Sequence, residues 1–470
     1  ARGGTPRRST PEVDPPPFCV AISTQYGPYR DTEPGRGRTE RWQTAVVLIS
    51  VDDHLIEPRD LFEGRLPAAL ADRAPRVVTT DDGTEAWELE GRLHHQIGLN
   101  AVSGRPKQEW SMEPASFADM RRGCWDPVAR LADMDRSGVW ASLHFPSLIA
   151  GFAGGLFASL RDRELGRACV AAWNDWHHDV WCAADRERMV PLQIPWLHDP
   201  EWTAAEVRRN ASRGFRALSF PEQPVDMGLP SMHTEHWVPV LHACEETGTV
   251  VALHCASSGW SASRAPGAPL ELLTSLFPVN ALVTCADWLW SGVPVRFPGL
   301  RILLAESGID WVPMLRNRID YVMEHSASSE AAWTDPGNSP TDVLGRNFYF
   351  GVIDLTDVLE LRHGIGLGRI VLESDYPHAD STWPDSSSLA DRALSGLPGA
   401  EADAIRFGNA ARLFDWPMPP ESQPSGKGSV LRKWPNTVTY AAQKGQDQDM
   451  AAPELRTRRL LLRGWRDSDR

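Results

Sequence analysis

The chain has 470 residues and carries 48 Lys and Arg against 62 Asp and Glu, which gives a formal net charge of −14 at pH 7. We expect no nucleic-acid partner, because phosphate binding needs a basic stripe and the body of the chain has none. We expect no membrane partner either, because no apolar run approaches the roughly 20 residues that cross a bilayer. The seven cysteines include no C-x-x-C pair, which favours reduced thiols and therefore a cytoplasmic protein.

Composition divides the chain into a central domain and two extensions. Residues 1–43 are rich in Pro, Arg, Thr and Gly and predict a flexible N-terminal extension. Residues 417–470 predict a flexible C-terminal extension, although a basic run near its end could bind an acidic partner. The domain between them, residues 44–416, contains an insertion at 60–125. Within this insertion an Asp-Gly turn follows one β-like run and precedes another, which predicts a hairpin.

Predicted strands alternate with helical segments along the whole domain. The predicted strands are 45–51, 139–145, 189–194, 215–220, 249–254, 300–305, 348–352 and 370–372. Clear helical patterns occupy 126–135, 201–212 and 236–247. Eight β/α units in one series favour a (β/α)8 barrel, since a doubly wound sheet usually stops at five or six strands. The fold class that we expect is therefore α/β, a TIM barrel with a hairpin-containing insertion after the first strand.

Side chains that can bind metals stand at the ends of several predicted strands. Alternate residues of a strand share a face, so Asp52 and His54 point to one side and Asp53 to the other. In a barrel of this class the chemistry lies at the carboxyl ends of the strands. Imidazole and carboxylate groups together suit Zn²⁺, Mn²⁺ or Fe²⁺ better than Ca²⁺. The complete set at these ends is Asp52, His54, His254, Glu306, Asp375 and His378.

Each of these residues also has a structural interpretation when it is taken alone. A lone His254 is more often a hydrogen-bonded core histidine, and a lone Asp375 more often caps the next helix. His144, at the end of the second strand, either lines a pocket or is a buried structural histidine, and the sequence leaves both open. Because several such residues stand at corresponding strand ends, we favour a shared metal site.

Eight segments, in the same order along the chain, resemble one known family. They are 50–58 (Ser-Val-Asp-Asp-His-Leu-Ile-Glu-Pro), 130–139, 214–222, 253–259 (Leu-His-Cys-Ala-Ser-Ser-Gly), 291–301, 305–313, 373–378 (Glu-Ser-Asp-Tyr-Pro-His) and 408–414. The chain resembles the amidohydrolase-related metal-dependent hydrolases. Within that family it is similar to the branch that contains aminocarboxymuconate-semialdehyde decarboxylase and the dihydroxybenzoate decarboxylases, and the similarity spans residues 45–416.

The resemblance implies a barrel with one divalent metal ion, of which zinc is the expected species and manganese or iron the alternatives. The implied ligands are Asp52, His54, His254 and Asp375. The first of these positions is His or Glu in the best-known decarboxylases, and Asp shortens its reach. A bridged metal pair is excluded, because such pairs need a carbamylated lysine on the fourth strand, and Lys107 is the only lysine between residues 45 and 416.

The resemblance also suggests which groups move protons. Asp375 is expected to act both as a ligand and as the proton carrier. Glu306 replaces a histidine that often acts on the substrate in this branch, so it could be a second acid or base, or a ligand. His378 is a further catalytic candidate, although we favour a role for it and Asp380 in orienting the ligands by hydrogen bonds.

These features predict an enzyme of the amidohydrolase superfamily, a carboxy-lyase or a hydrolase. The preferred reaction is non-oxidative decarboxylation of a small aromatic or unsaturated carboxylic acid, and hydrolysis of an amide, lactone or C–C bond is the alternative. A barrel that has lost catalysis is a third possibility, against which the intact ligand set argues. We also expect a homodimer, because tryptophans at helical spacing cover either the outside of a barrel or a subunit interface. These are Trp173, Trp176, Trp181 and Trp196.

Overall fold

The computed structural model describes residues 47–418, with gaps at 107, 109–113, 264, 266, 327, 329–332 and 354–356, and also residues 455–456 and 461–462. The predicted N-terminal extension, nearly all of the predicted C-terminal extension and the start of the first predicted strand lie outside the described residues. The chain divides into two compact units, Ala1–Gln423 and Pro424–Arg470. In the second unit, strands Leu455–Arg456 and Leu461–Leu462 pair antiparallel.

Parallel strands form the centre of the first unit. In chain order, the eight barrel strands are Leu48–His54, Val139–Phe145, Met189–Val190 with Leu192–Gln193, Ala217–Phe220, Val250–His254, Ile302–Ala305, Phe348–Val352 and Ile370–Leu372. Each pairs in parallel with the next, and the first pairs with the eighth. The third strand has two pieces because Pro191 lacks a backbone N–H. Met189–Val190 pairs with the second strand and Leu192–Gln193 pairs with the fourth, so the ring closes and the predicted barrel is confirmed.

The strands lie at the predicted positions, but the third to sixth differ from the predicted limits by one or two residues at one end, and the first differs by more. The second, seventh and eighth strands have the predicted limits. The first strand, however, extends to His54 rather than ending at residue 51. Its last residues pair with the second strand, where Asp53 is opposite His144 and His54 is opposite Phe145. The polar residues after the apolar run are therefore part of a rigid strand.

Helices cover the barrel and have well-defined ends. Their bounds are Pro127–Ser137, Gly155–Ser159, Arg163–Trp176, Pro200–Arg213, Val238–Thr247, Leu270–Ser275, Phe277–Trp290, Val293–Arg296, Val312–His325, Pro340–Asn347, Arg362–Ile365, Ser386–Leu394, Gly399–Asp403 and Asn409–Phe414. The helix before the second strand, Pro127–Ser137, shows how its two ends are fixed. The Asp126 side chain accepts hydrogen bonds from two free N–H groups at its start, and Gly138 ends it in the left-handed conformation with φ 75°.

The insertion after the first strand carries its own small sheet. Arg76–Thr79 pairs antiparallel with Glu85–Leu89, which is the hairpin that the Asp-Gly sequence indicates. A third strand, Arg92–His94, pairs with the second and was not predicted. Trp87 is fully buried, and its ring centroid lies 5.9 Å from that of Phe62. Phe62 belongs to the same insertion and its ring centroid lies 5.9 Å from that of Phe157, so the central strand is anchored through Phe62 to the helix that contains Phe157.

The four tryptophans between residues 173 and 196 are all buried within the chain. They pack in the same apolar cluster as the first, second and third barrel strands. They therefore pack against the barrel, which was one of the interpretations of their spacing. Among the described residues, no helix combines the length and the apolar character that crossing a bilayer requires. The six described cysteines are buried and free.

Candidate metal centre

Four buried side chains from three strands converge at one end of the barrel. The Nε2 atoms of His54 and His254 lie 2.9 Å apart. An Asp52 oxygen lies 3.5 Å from the first of these atoms and its other oxygen lies 3.4 Å from the second. Asp375 Oδ1 lies 3.5 Å from His54 Nε2. We call these four residues the metal centre, because together they are the ligand set that the sequence predicted.

Backbone carbonyls fix the tautomers of the two histidines. His54 Nδ1 faces the carbonyl oxygen of Pro146 at 3.4 Å, and His254 Nδ1 faces that of Cys255 at 2.7 Å. A carbonyl oxygen only accepts, so each Nδ1 carries the hydrogen and each Nε2 presents a lone pair. Two lone pairs that face each other at this distance repel, unless a cation lies where they point. The arrangement fits metal coordination, in which the second ring nitrogen is held by a backbone acceptor.

The two carboxylates give an independent test of the same fit. Both oxygens of Asp52 are buried and have no hydrogen-bond partner among the described residues; the Asp375 carboxylate is buried as well, with His378 Nδ1 2.9 Å from its Oδ1. An ionised carboxylate without a partner is very costly inside a protein. Two imidazole nitrogens with two carboxylates also form a donor set that suits Zn²⁺, Mn²⁺ or Fe²⁺. The residues present therefore fit a single divalent ion.

The pKa shifts at this centre describe an electrostatic conflict between like charges. Burial raises the pKa of Asp52 well above its ordinary value, and the neighbouring carboxylates Glu373 and Asp375 raise it further. Burial, and then Asp380, likewise raise the pKa of Asp375. Burial lowers the pKa of His54, and the imidazoles of His378 and His254 add to this shift. A cation would oppose the raised pKa values of the carboxylates, since it favours their ionised form, and would act in the same direction as the lowered pKa of His54, since it also favours neutral imidazoles.

Asp53 points away from the metal centre, as the alternation of the strand requires. Its carboxylate accepts hydrogen bonds from the hydroxyl groups of Ser50, Ser142 and Ser374 and from the backbone N–H of Tyr376, 3.1 Å away. These donors belong to the first and second strands and to the segment after the eighth. Asp53 therefore ties together the chain segments that carry three of the four candidate ligands. The sequence analysis gave it no role, because its partners are distant in the sequence.

Arg130 is a second residue whose position only the structure shows. Its side chain is buried and donates to the carbonyl oxygens of Gly123 and His54, at 2.8 and 2.5 Å. Its guanidinium lies over the ring of Tyr376, 4.5 Å from the centroid. It therefore holds the end of the first strand against the segment that follows the eighth. The helical pattern at 126–135 indicated a helix but did not single out this arginine.

Asp375 and Glu306 have left-handed backbones, with φ values of 51° and 52°. Non-glycine residues with this conformation are uncommon and are enriched at functional sites. The N–H of Asp375 donates to the carbonyl oxygen of Asp52 at 2.9 Å, and the Asp375 side chain is directed to His54. The helix-capping interpretation of Asp375 does not apply, because its carboxylate accepts no hydrogen bond from a helix N-terminus.

The remaining predicted residues lie beside this centre. His378 Nδ1 is 2.9 Å from Asp375 Oδ1, and its ring centroid lies 4.1 Å from that of His54. Glu306 Oε2 is 3.8 Å from His254 Nδ1. Burial raises the pKa of Glu306, and the charge of Asp375 adds to the shift. Oxygen atoms of Glu306, Asp375 and Asp380 also lie within 4.8 Å of one another, so Glu306 is close enough to exchange protons with the centre.

His144 is not part of this group. Its ring packs edge-on against Trp181 with centroids 5.5 Å apart, and burial lowers its pKa well below the ordinary value. Of the two interpretations that the sequence left open, the packing therefore favours a buried structural histidine.

A family model described as amidohydrolase matches residues 85–416, about seven tenths of the chain. The chain belongs to this amidohydrolase family. The match begins after the first barrel strand, so the segment with Asp52 and His54 lies outside it. No curated protein sequence matches the chain. The family predicted from the sequence motifs is confirmed.

Solved structures of similar fold include three with a TM-score above 0.5. An amidohydrolase from Mycobacterium avium subsp. paratuberculosis K-10 has a TM-score of 0.61 and 22% identity, covering 78% of this chain and 99% of its own. IDCase from Metarhizium anisopliae, in apo form, has a TM-score of 0.55 and 19% identity, and the match covers 80% of this chain and 99% of IDCase. The third is the 5-carboxyvanillate decarboxylase from Novosphingobium aromaticivorans, complexed with manganese and 4-hydroxy-3-methoxy-5-nitrobenzoic acid. It has a TM-score of 0.52 and 16% identity, and the match covers 80% of this chain and 97% of the decarboxylase. At these identities the likeness shows the fold.

The amidohydrolase has an apolar pocket of about 510 Å³ next to the metal centre. Phe152 lines this pocket and also contacts both histidines, with ring centroids 4.9 Å from His54 and 4.3 Å from His254. The residues after His254, from Ala256 to Gly259, form part of the wall. Leu99, from the insertion, is another lining residue. The insertion therefore contributes to the pocket.

Proposed function

We propose that the protein is a metal-dependent carboxy-lyase that removes CO₂ from a small aromatic or unsaturated carboxylic acid. The observation that carries the proposal is the convergence of Asp52, His254 and Asp375 on His54 Nε2, from which their nearest nitrogen or oxygen atoms lie 2.9 to 3.5 Å. The adjoining pocket is mostly apolar, which suits an aromatic body. The fold neighbours described as decarboxylases give the proposal further support.

We propose one divalent ion at this centre, zinc by preference and manganese or iron as alternatives. Zinc suits a four-ligand site made of imidazole and carboxylate groups. Manganese is present in the 5-carboxyvanillate decarboxylase complex and suits the same ligands. When bound, such an ion would supply Lewis acidity to a substrate carboxylate and a neighbouring oxygen.

The residues of the chain would then divide the remaining work. Asp375 would deliver a proton to the carbon atom that loses CO₂, so that a C–H bond replaces the broken C–C bond. His378, 2.9 Å away, would set the position and the charge of that carboxyl. Glu306 would be the second acid or base, because its Oε2 lies 3.8 Å from His254 Nδ1 and burial raises its pKa above the ordinary value. Phe152 would shield the reacting carbon from water.

Hydrolysis of an amide, lactone or C–C bond is the second candidate. It is favoured by Glu306, since a carboxylate near the metal centre could take a proton from an attacking water. In that case Asp375 would accept a proton rather than deliver one. The ligand set and the fold are the same for both reactions, so only the products separate them.

The test uses the purified full chain loaded with zinc or manganese. We expect one metal ion per chain, loss of activity on chelation, and CO₂ release from one or more hydroxybenzoates. His254→Ala should lower the metal content well below one ion per chain. His242→Ala, at an exposed histidine, is the matched control and should keep the metal. Release of acid from amides or lactones, without CO₂ from any carboxylate, would instead establish the hydrolase.

Two further predictions complete the proposal. A homodimer stays a prediction, although the tryptophans that suggested it are buried inside the chain; sedimentation of the purified protein tests it. A cytoplasmic location also stays a prediction, and fractionation of the source cells tests it.

A further inference from the structure

The apolar pocket has an unusual lining for the binding site of an organic acid. Its walls are mainly aliphatic and aromatic, and the side chains that matter here are Leu99, Leu148, Phe152, Leu156, Met227 and Leu229. Among the lining residues that the structure describes, none is lysine or arginine. An anion enters an apolar pocket only if a cation or several hydrogen-bond donors compensate it. Compensation for a substrate carboxylate would therefore come from the metal centre rather than from the described lining residues.

His198 does not change this conclusion. It is the single ionisable side chain in the pocket lining. Its Nε2 lies 2.7 Å from the carbonyl oxygen of Ala158 and also contacts the guanidinium of Arg163, which donates to the same carbonyl oxygen. This nitrogen is therefore engaged by the backbone and by Arg163, which is not one of the lining residues.

Four serines line the pocket, and the hydroxyl groups of Ser147 and Ser159 already donate to the carbonyl oxygens of Leu55 and Leu156. Ser257 Oγ accepts a hydrogen bond from the N–H of Glu222 at 3.0 Å, which leaves its own hydrogen for a ligand. Ser258 Oγ lies 3.4 Å from Glu222 Oε1. Burial raises the pKa of Glu222 to about 8, so the acid behind these serines is mostly uncharged at neutral pH. The pocket therefore offers neutral hydrogen-bonding groups such as hydroxyls, and no charge.

We infer that the substrate is a monocarboxylic acid with an uncharged, largely apolar body, and that a second carboxylate in the body is rejected. Its single carboxylate would lie at the metal centre, and its body would pack on Phe152 and against Leu156 and Met227. A neutral polar substituent would be read by Ser257 and Ser258. This inference rests on the proposed function, because it takes the metal centre as the site of the carboxylate.

The test compares three matched ligands by calorimetry on the metal-loaded protein. Salicylate has one carboxylate next to a hydroxyl group, and hydroxyterephthalate adds a second carboxylate opposite the first. The third ligand is the methyl ester of that second carboxylate, which has the same shape without the charge. Because an uncompensated buried charge costs about 1–3 kcal/mol, hydroxyterephthalate should bind roughly 10- to 100-fold more weakly than its ester.

Met227→Lys places a cation in the pocket wall with little change in side-chain length. It should strengthen hydroxyterephthalate binding by roughly tenfold or more and leave the ester nearly unaffected. Met227→Gln is the control, since it has a similar length and no charge, and should not strengthen diacid binding. If Met227→Lys does not fold, Leu229→Lys tests the same wall from another position. Salicylate binding verifies that each variant is folded.

The results separate the inference from the proposed function. If the diacid binds the unmodified protein as tightly as the ester, the inference is overturned, whether or not CO₂ is released. If the ester is preferred and the lysine variant reverses the preference, the inference holds even when no CO₂ appears, and only the carboxy-lyase assignment fails.

Discussion

Replacement of Asp53 by alanine should test whether this buried carboxylate organises the metal centre from behind. The change removes the acceptor for three serine hydroxyl groups and one backbone N–H. Two of these donors have another acceptor, because Ser50 Oγ also reaches the carbonyl oxygen of Asp52 and Ser142 Oγ that of Leu143. The hydroxyl of Ser374 and the N–H of Tyr376 would have none among the hydrogen bonds of the described residues.

A buried donor that loses its partner costs about 1–3 kcal/mol, so two such donors predict a loss of roughly 2–6 kcal/mol in the free energy of unfolding. Asp53→Asn keeps one acceptor oxygen and should lose less, about 1–3 kcal/mol. Because the two unpartnered donors flank Asp375, metal affinity should fall as well, by roughly 10- to 100-fold. An exposed aspartate of the insertion, Asp60, supplies the control variant Asp60→Asn.

The assay is urea unfolding followed by circular dichroism, with chelator and with excess zinc, together with a competitive zinc-binding titration. The reasoning would be refuted if the free energy of unfolding of Asp53→Ala differed from that of the parent by less than about 0.5 kcal/mol, the usual range for surface substitutions. It would also be refuted if the variant bound zinc as tightly as the parent. A loss of stability without any loss of metal affinity would leave Asp53 as a fold residue alone.

Three further changes probe other parts of the structure. Burial raises the pKa of Glu57 to about 7. The cost of ionising this buried carboxyl in the folded state is therefore absent below pH 4.5, grows as the pH rises above that value and is complete above about pH 7. Glu57→Gln should therefore be more stable than the parent at pH 8, by up to about 3 kcal/mol, and similar at pH 4.5, as unfolding at both values would reveal. Gly351→Ala would place a Cβ 1.6 Å from Glu373 Oε1 and should cost about 1–3 kcal/mol in urea unfolding, whereas Gly399→Ala, with open space around it, should not. Asp126→Ala removes a helix cap and should cost about 1 kcal/mol in the same assay; no change would show that the cap is dispensable.

The sequence pattern was sufficient for the barrel because local chemistry marked both ends of its elements. Continuous apolar runs gave the strands, and a helix cap such as Asp126 with a glycine such as Gly138 marked where a helix begins and ends. The apolar run ended the predicted first strand at residue 51, although strand geometry was already used for the polar residues Asp52, Asp53 and His54. Here they remain in the strand because its neighbours and a buried network satisfy them.

The order of the strands also brought the predicted metal ligands together, because residues at the carboxyl ends of parallel strands share one rim. That is why Asp52, His54, His254 and Asp375 could be proposed from the sequence, and the distances between their atoms agree with that set. Their role as ligands stays a proposal. The tautomers of the histidines depend on backbone carbonyls whose positions no sequence pattern contains.

By itself, the sequence determined the family, the closed barrel and the types of side chain at its rim, because these follow from periodicity and from residue chemistry. Only the tertiary structure decided which groups support that rim and what the neighbouring pocket accepts. Asp53 and Arg130 act through partners that are distant in sequence, and the uncharged pocket lining comes from several separate loops and helices. Such contacts are set by the packing of the whole chain, so they have no local signal.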